Sequence, residues 1–394
     1  MDKNNKPVRD TFLVFGKPYI GEEEIKEVER TLRSGWWGTG PKTELFENNF
    51  KKYEGVKYAI SVNSATAGLH LSLKVLGVGP GDEVITTPLT FVSTANVIVH
   101  CGAKPVFADI DRETWNIDPK EIEKKITKRT KAILPVHLHG RPCNMDSILK
   151  IAKDNNLNVV SDAAHAVEAE YKGKKVGSIG DLVVFSFYVT KNVATGEGGM
   201  ITTNNKKFFK ELPIWRLHGL SRDAWKRYSV KHFNLYEALV PGFKYNLTDI
   251  ASSIGIHQLA RVEKNLKVRR RIWDMYTKAF LDEPLLTLPA PVEKNTRHGM
   301  HLYAILLKLG DMKVARNEFV DMLIKENIGS GVHFAPIHTQ PFYKKEYVYK
   351  KGQFPNAEYV GERILSLPLG ANLTKKDVED VITAVKKVLK AVSK

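Results

Sequence analysis

The chain has 394 residues, 43% hydrophobic and 26% charged; this is ordinary globular usage and excludes a collagen-like, coiled-coil or intrinsically disordered chain as the main state. There are 60 Lys+Arg against 44 Asp+Glu, a formal charge of +16, which favours anionic partners: nucleic acid, acidic lipid or a phosphorylated small molecule. The two cysteines, Cys101 and Cys143, form no Cys-x-x-Cys, so neither a disulfide scaffold nor a thiolate zinc site is expected.

At roughly 150 residues per domain, the length suits two or three domains. Residues 1–20 read as a polar N-terminal arm broken by charges, unlike a signal peptide. No apolar run reaches the ~18 residues of a membrane span. A cytoplasmic protein without stable membrane insertion is therefore expected. From Lys57 to Thr203, short apolar runs alternate with helical patterns. The expected strands are Tyr58–Val62, Glu83–Thr87, Pro105–Asp109, Ala132–Val136, Val159–Asp162, Leu182–Phe187 and Met200–Thr203. Helices such as Ala67–Leu76, Pro119–Ile126 and Met145–Asn155 fall between them. Strands alternating with helices predict an α/β fold: a mainly parallel sheet covered on both faces, with ligands beyond the strand C-termini. Thr248 to about Leu281 reads as one long helix leaving this layer. His301–Leu307 reads as a strand, and Val314–Glu326 and Asp377–Val392 as helices. The expected division is an arm (1–20), a large domain (21–250), a connecting helix (251–282) and a small C-terminal α/β domain (283–394).

Three stretches carry chemistry. In DLVVFSFYVTKNVATGEGGM, a strand runs into Ser186, then Lys191, then a turn with Gly196, Gly198 and Gly199. A sheltered lysine loses its proton and attacks a carbonyl; an exposed one is an ordinary surface charge. In VVSDAAHA, Asp162 ends a strand, and Ala163 and Ala164 leave room for a flat group. A carboxylate there holds a ring nitrogen protonated, or simply caps a helix. His165 is placed to bond a ring substituent. In SVNSATAGLH, Asn63, Ser64 and Thr66 lead into a helix whose free N–H groups make a phosphate site. Phe91, after the next strand, is placed to stack on a ring or to join the core. His137 and His139 alternate on an expected strand, but no carboxylate or third histidine accompanies them, and no metal site is read.

With these residues in place, the chain resembles the sugar-nucleotide aminotransferases, pyridoxal phosphate (PLP) enzymes of fold type I. The matching runs include SGWWGTGPKTELFE, GDEVITTPLTFVSTANVI, SDAAHAVEAEYKGKKVGSIGD, FSFYVTKNVATGEGGM, PGFKYNLTDIASSIG and GSGVHFAPIHTQPFY. They extend from about Gly21 to the C-terminus. GFKYNLTDI and GSGVHFAPIHTQ are most similar to members making UDP-4-amino-4-deoxy-L-arabinose from the 4-keto sugar. The resemblance implies a large three-layer α/β/α domain, a smaller C-terminal domain and a PLP cofactor bound through Lys191. By motif, Asp162 would pair with the ring nitrogen and His165 would lie near the phenolic oxygen. Ser64, Ala65, Thr66 and Ser186 would hold the phosphate, with Phe91 over one ring face. It also implies a homodimer with shared active sites, in which Asn246 reaches the neighbouring chain's phosphate. His333 and His338 would sit near the sugar. Tyr188 stands where many relatives have His, on the substrate side. Many relatives also read Asn-Tyr-Arg where this chain has Lys244-Tyr245-Asn246.

The basic run SRDAWKRY places Arg222, Lys226 and Arg227 beside Trp225. Cations and an aromatic together suit a nucleotide diphosphate, or a solvated loop. The expected activity is ping-pong transfer of an amine from glutamate, leaving 2-oxoglutarate, to a keto sugar nucleotide. A PLP-dependent sugar dehydratase or a cyclitol aminotransferase is the alternative; some relatives become dehydratases by replacing the lysine with His. A nucleic-acid-binding role has only the charge behind it, with no recognisable motif.

Overall fold

The structure, a computed structural model, describes residues 6–221 and 237–394. Two helices not anticipated from the sequence come first, α1 (Glu22–Arg33) and α2 (Pro41–Glu54). The sheet region follows as β1 (Tyr58–Val62), α3 (Ala65–Val75), β2 (Glu83–Thr86), α4 (Ser93–His100), β3 (Lys104–Phe107), α5 (Pro119–Lys125), β4 (Thr130–Leu134), α6 (Met145–Asp154) and β5 (Asn158–Asp162). A small hairpin, β6 (Glu170–Tyr171) and β7 (Lys174–Lys175), precedes β8 (Leu182–Ser186), β9 (Gly199–Thr203) and α7 (Lys206–Arg216).

Seven strands form one sheet in the order β1-β9-β8-β5-β4-β2-β3. β9 runs antiparallel to both its neighbours, β1 and β8, and the other pairings of this sheet are parallel. Alternate residues serve opposite faces. Ile60, Val160, Val184 and Ile201 pack under α3, α4 and α7. Ala59, Val183, Phe185 and Met200 pack against α2 and its neighbours. Ile133 and Val159 pack against α6. This is the expected α/β fold, a three-layer α/β/α sandwich with a mainly parallel sheet. Gly68 lets α3 approach the sheet, because a Cβ there would lie 2.6 Å from Val184 Cγ1.

The helix expected over Thr248–Leu281 is two helices, α8 (Asp249–Ala260) and α9 (Val262–Phe280). Arg261 breaks it, with φ −107 and ψ 6. α8 packs on α1 and α2 within the sheet layer. Asp249 caps α2 from a distance: its carboxylate accepts from the N–H groups of Gly40, Lys42 and Thr43. The last part contains β10 (Leu286–Thr287), β11 (Tyr303–Leu307), α10 (Arg316–Lys325), α11 (Pro341–Tyr347), α12 (Pro355–Arg363), β12 (Ile364–Leu367) and α13 (Lys375–Val392). Its three strands pair antiparallel, and α9, α10 and α13 cover one face. Among the described residues no helix is long and apolar enough to cross a membrane.

Candidate active site

The site lies where β1, β5 and β8 end. Because β9 runs the other way, its first residue, Gly199, starts at that same edge, opposite Val62 and Ser186. A Cβ on Gly199 would stand 2.8 Å from the amide nitrogen of Ala65, the carbonyl carbon of Ser64 and the carbonyl oxygen of Phe185. Glycine therefore lets the β8 end and the start of α3 close on one point. Ser64 is the α3 N-cap, accepting from Ala67 N at 3.1 Å. The N–H groups of Ala65 and Thr66 have no partner within the helix. Ser64, Ala65, Thr66 and Ser186 thus form one cradle with the chemistry of a phosphate site.

Asp162 ends β5 and is 5% exposed. Its Oδ2 accepts from Thr94 Oγ1 at 2.9 Å and its Oδ1 from Ala164 N at 3.0 Å. Burial pushes this carboxyl above its usual range, against the pull of those two donors and of Lys191. Burial likewise lowers Lys191 to about 8, with Asp162 opposing. The lysine is therefore partly uncharged near neutral pH.

Four imidazoles surround this pair. His165 and His301 lie 4.5 Å apart by ring centroid. His139 stacks on His165 at 6.4 Å and donates from Nε2 to the carbonyl of His333 at 2.8 Å. Burial holds all four below the usual histidine value, His139 at about 4 and His333 at about 3, with the Lys191 charge adding to it. The backbone N–H of His139 donates to His165 Nδ1 at 3.2 Å, leaving the His165 proton on Nε2. The Phe334 ring lies over His165 at 6.0 Å, and Phe91 lies 5.9 Å from Phe334. Phe91 is 57% exposed. Tyr188 is 44% exposed, and its carbonyl accepts from Lys191 N at 2.8 Å.

Two expectations are corrected. The strand expected to carry His137 and His139 stops at Leu134, and both histidines stand in a turn. His338 is not brought to the site: it is 1% exposed, paired through Nε2 with Glu358 at 3.1 Å and packed on Phe354. Asn246 donates to Thr39 Oγ1 of its own chain at 2.7 Å. The carbonyl of Tyr245 accepts from Asn63 N at 2.8 Å, which sets this loop beside the cradle. Arg222 and Arg227 lie outside the described residues. Glu168, Asn192, Arg269 and His301 escaped notice in the sequence. Only the position of Asn192, directly after the lysine, was a signal.

A half-buried lysine with a desolvated amine beside a buried carboxylate, with a phosphate cradle along the same sheet edge, defines a PLP enzyme of the aminotransferase type. The donor set fits the cofactor: a carboxylate with free lone pairs for the ring nitrogen, a desolvated amine for the aldehyde, and helix-start N–H groups for the phosphate. The chain belongs to the DegT/DnrJ/EryC1/StrS aminotransferase family, whose model matches residues 18–386. It is 55% identical over 97% of its length to the uncharacterized protein MJ1066 of Methanocaldococcus jannaschii, covering 99% of it. It is 49% identical to the spore coat polysaccharide biosynthesis protein SpsC of Bacillus subtilis, covering 97% of this chain and 98% of that one. Among solved structures it matches the PMP-form of Spr1654 of Streptococcus pneumoniae, a candidate sugar aminotransferase. That match has a TM-score of 0.90 and 34% identity, over 96% of this chain and 99% of the other. The protein is thus a sugar aminotransferase by family, with pyridoxal phosphate as its cofactor.

Proposed function

We propose that the protein transfers an amino group from glutamate to a nucleotide-linked keto sugar, with a UDP-4-keto sugar as the first choice, in two ping-pong half-reactions. The observation that carries this reading is the placing of half-buried Lys191 just after β8, next to Asp162 at the end of the paired strand β5, with the lysine amine lowered to about 8 by desolvation. When bound, pyridoxal phosphate supplies an electron-withdrawing ring that stabilises negative charge on the substrate carbon. Asp162 keeps the ring nitrogen protonated. Lys191 Nζ holds the cofactor at rest, then takes and returns the proton at the reacting carbon. His165 offers its Nε2–H to the phenolic oxygen. The α3 start, with Ser64 and Ser186, anchors the phosphate. Tyr188 and His333 face the sugar, and Arg222 and Arg227 bind the diphosphate.

The working unit in this reading is a homodimer with shared sites. Exposed Ile25, Leu32, Trp36, Trp37 and Leu45, on or between α1 and α2, support it as apolar surface left uncovered by the single chain. Asn246 reaches the partner's phosphate by exchanging its bond to Thr39. The test is a screen of nucleotide-linked 4-keto and 3-keto sugars with glutamate, read by mass. A UDP-4-amino sugar together with 2-oxoglutarate is the expected product pair. Turnover only with free cyclitols, or loss of water without gain of nitrogen, overturns the reading.

A further inference from the structure

Asn192 follows Lys191 directly, and all three of its side-chain bonds are made. Its Nδ2 donates to Glu168 Oε2 at 2.7 Å and to the carbonyl of Gly299 at 3.0 Å. Both partners only accept, so the orientation of the amide is dictated by chemistry. Its Oδ1 must then be the atom that meets His301 Nδ1 at 3.0 Å, and that nitrogen must carry the proton. Glu168 is fully buried and ion-paired with buried Arg269, whose Nε donates to the carbonyl of Met300 at 3.1 Å. The train Arg269–Glu168–Asn192–His301 therefore has no freedom to turn over. It runs from α9 to the residue next to the reactive lysine.

We infer that Glu168 and Asn192 are positioning residues: they hold His301 as its Nδ1–H tautomer, so that Nε2 is left as a lone-pair acceptor next to His165. The neighbouring His165 is held in the opposite state, with its proton on Nε2, by the His139 backbone. The site then carries two adjacent imidazoles of opposite polarity, 4.5 Å apart. His165 donates and His301 accepts. The donor suits an anionic oxygen on the cofactor. The acceptor suits an N–H of the lysine whenever its nitrogen is free. His301 interacts electrostatically with Lys191, so the other tautomer, with its N–H dipole turned round, would disfavour the charged form of the lysine.

The inference rests on the proposed reading of the site as one for pyridoxal phosphate, and the test separates the two. Full-length cofactor-free protein with 15N-labelled histidine is examined by NMR, with His301 assigned from the His301→Gln spectrum. The wild type is expected to show the proton on Nδ1 of His301 and on Nε2 of His165. In Asn192→Leu, His301 is expected to shift toward the Nε2–H form. The pH midpoint for attachment of pyridoxal phosphate to Lys191, read by the growth of the yellow absorbance, is expected to fall by about half a unit or more. An Nε2–H tautomer of His301 in the wild type overturns the inference without any variant. So does an Asn192→Leu protein in which either the tautomer or the midpoint is unchanged; a merely structural Asn192 would move only the melting temperature. Absence of the yellow band in the wild type would instead overturn the cofactor assignment.

Discussion

Thr94 Oγ1 donates to Asp162 Oδ2 at 2.9 Å, from the first turn of α4 to the end of β5. With Ala164 N on the other oxygen, each carboxylate oxygen has one protein donor and keeps lone pairs for a ring nitrogen. Thr94 is itself buried and met by Thr90 Oγ1 at 3.1 Å. The aspartate is thus aimed before any cofactor arrives.

Removing this donor should weaken cofactor binding. Thr94→Val keeps the shape and deletes one bond to a buried charge, worth about 1.5–3 kcal/mol. Affinity for pyridoxal phosphate is expected to fall roughly ten- to hundredfold, measured by absorbance titration of the cofactor-free protein. Unchanged affinity would mean that Asp162 needs no help from α4.

The pH dependence follows from burial of Lys191. Its value lies near 8 in place of 10.5. Below that the amine is protonated and cannot attack; above it the amine is free. The rate of cofactor attachment should rise about tenfold per pH unit toward 8 and then level off. A stopped-flow pH series checks this, and Lys191→Ala should show no covalent attachment at any pH.

Gly199→Ala tests the closure of the phosphate cradle. The added methyl would meet three backbone atoms at 2.8 Å, and backbone gives way less readily than a flexible side chain. A stability loss of about 1–3 kcal/mol is expected, from thermal unfolding. Binding of pyridoxal phosphate should weaken far more than binding of pyridoxal, which lacks the phosphate. Equal weakening would place the phosphate elsewhere.

The Glu168–Arg269 pair should matter most when half of it is removed. Arg269→Leu leaves a buried carboxylate uncompensated and should cost about 3–5 kcal/mol in urea unfolding. The double variant Glu168→Leu/Arg269→Leu should recover part of that loss. A double variant as unstable as the single one would contradict the pairing.

His338 gives a contrasting outcome. Its imidazole is sealed against Phe354, and its Glu358 partner also accepts from Gly352 N at 2.7 Å. His338→Gln should lower the melting temperature and leave KM for sugar nucleotides unchanged. A rise in KM at constant stability would return His338 to the substrate side.

The legible part of the site was local. Lys191 and Asp162 each follow a short apolar strand, and strand ends of a parallel sheet gather along one edge wherever the helices lie. The same reasoning placed Asn63, Ser64 and Thr66 at a phosphate site, and the family resemblance added Ala65 and Ser186. The illegible part was long-range. His301 stands at the entry to a different sheet, and no spacing links it to His165. His338 looked equivalent to His333 because both occupy one motif, yet packing set one against Phe15 and Ser366 and the other against Glu358. The helix over Thr248–Leu281 was broken at Arg261, where one part packs on α1 and α2 and the other on α13; helical periodicity alone carries no sign of such a division.

Sequence alone determined the alternating strands and helices, the sheet edge on which chemistry collects, and the lysine and aspartate standing there. These depend on periodicity and on residues adjacent in the chain. Tertiary structure decided what those residues are able to do. Burial lowered Lys191, the α4 hydroxyl aimed Asp162, and Asn192 and the His139 backbone gave two neighbouring imidazoles opposite protonation. Each of these effects needs groups far apart in the chain to meet in a space that excludes water, where one hydrogen bond is enough to choose a tautomer.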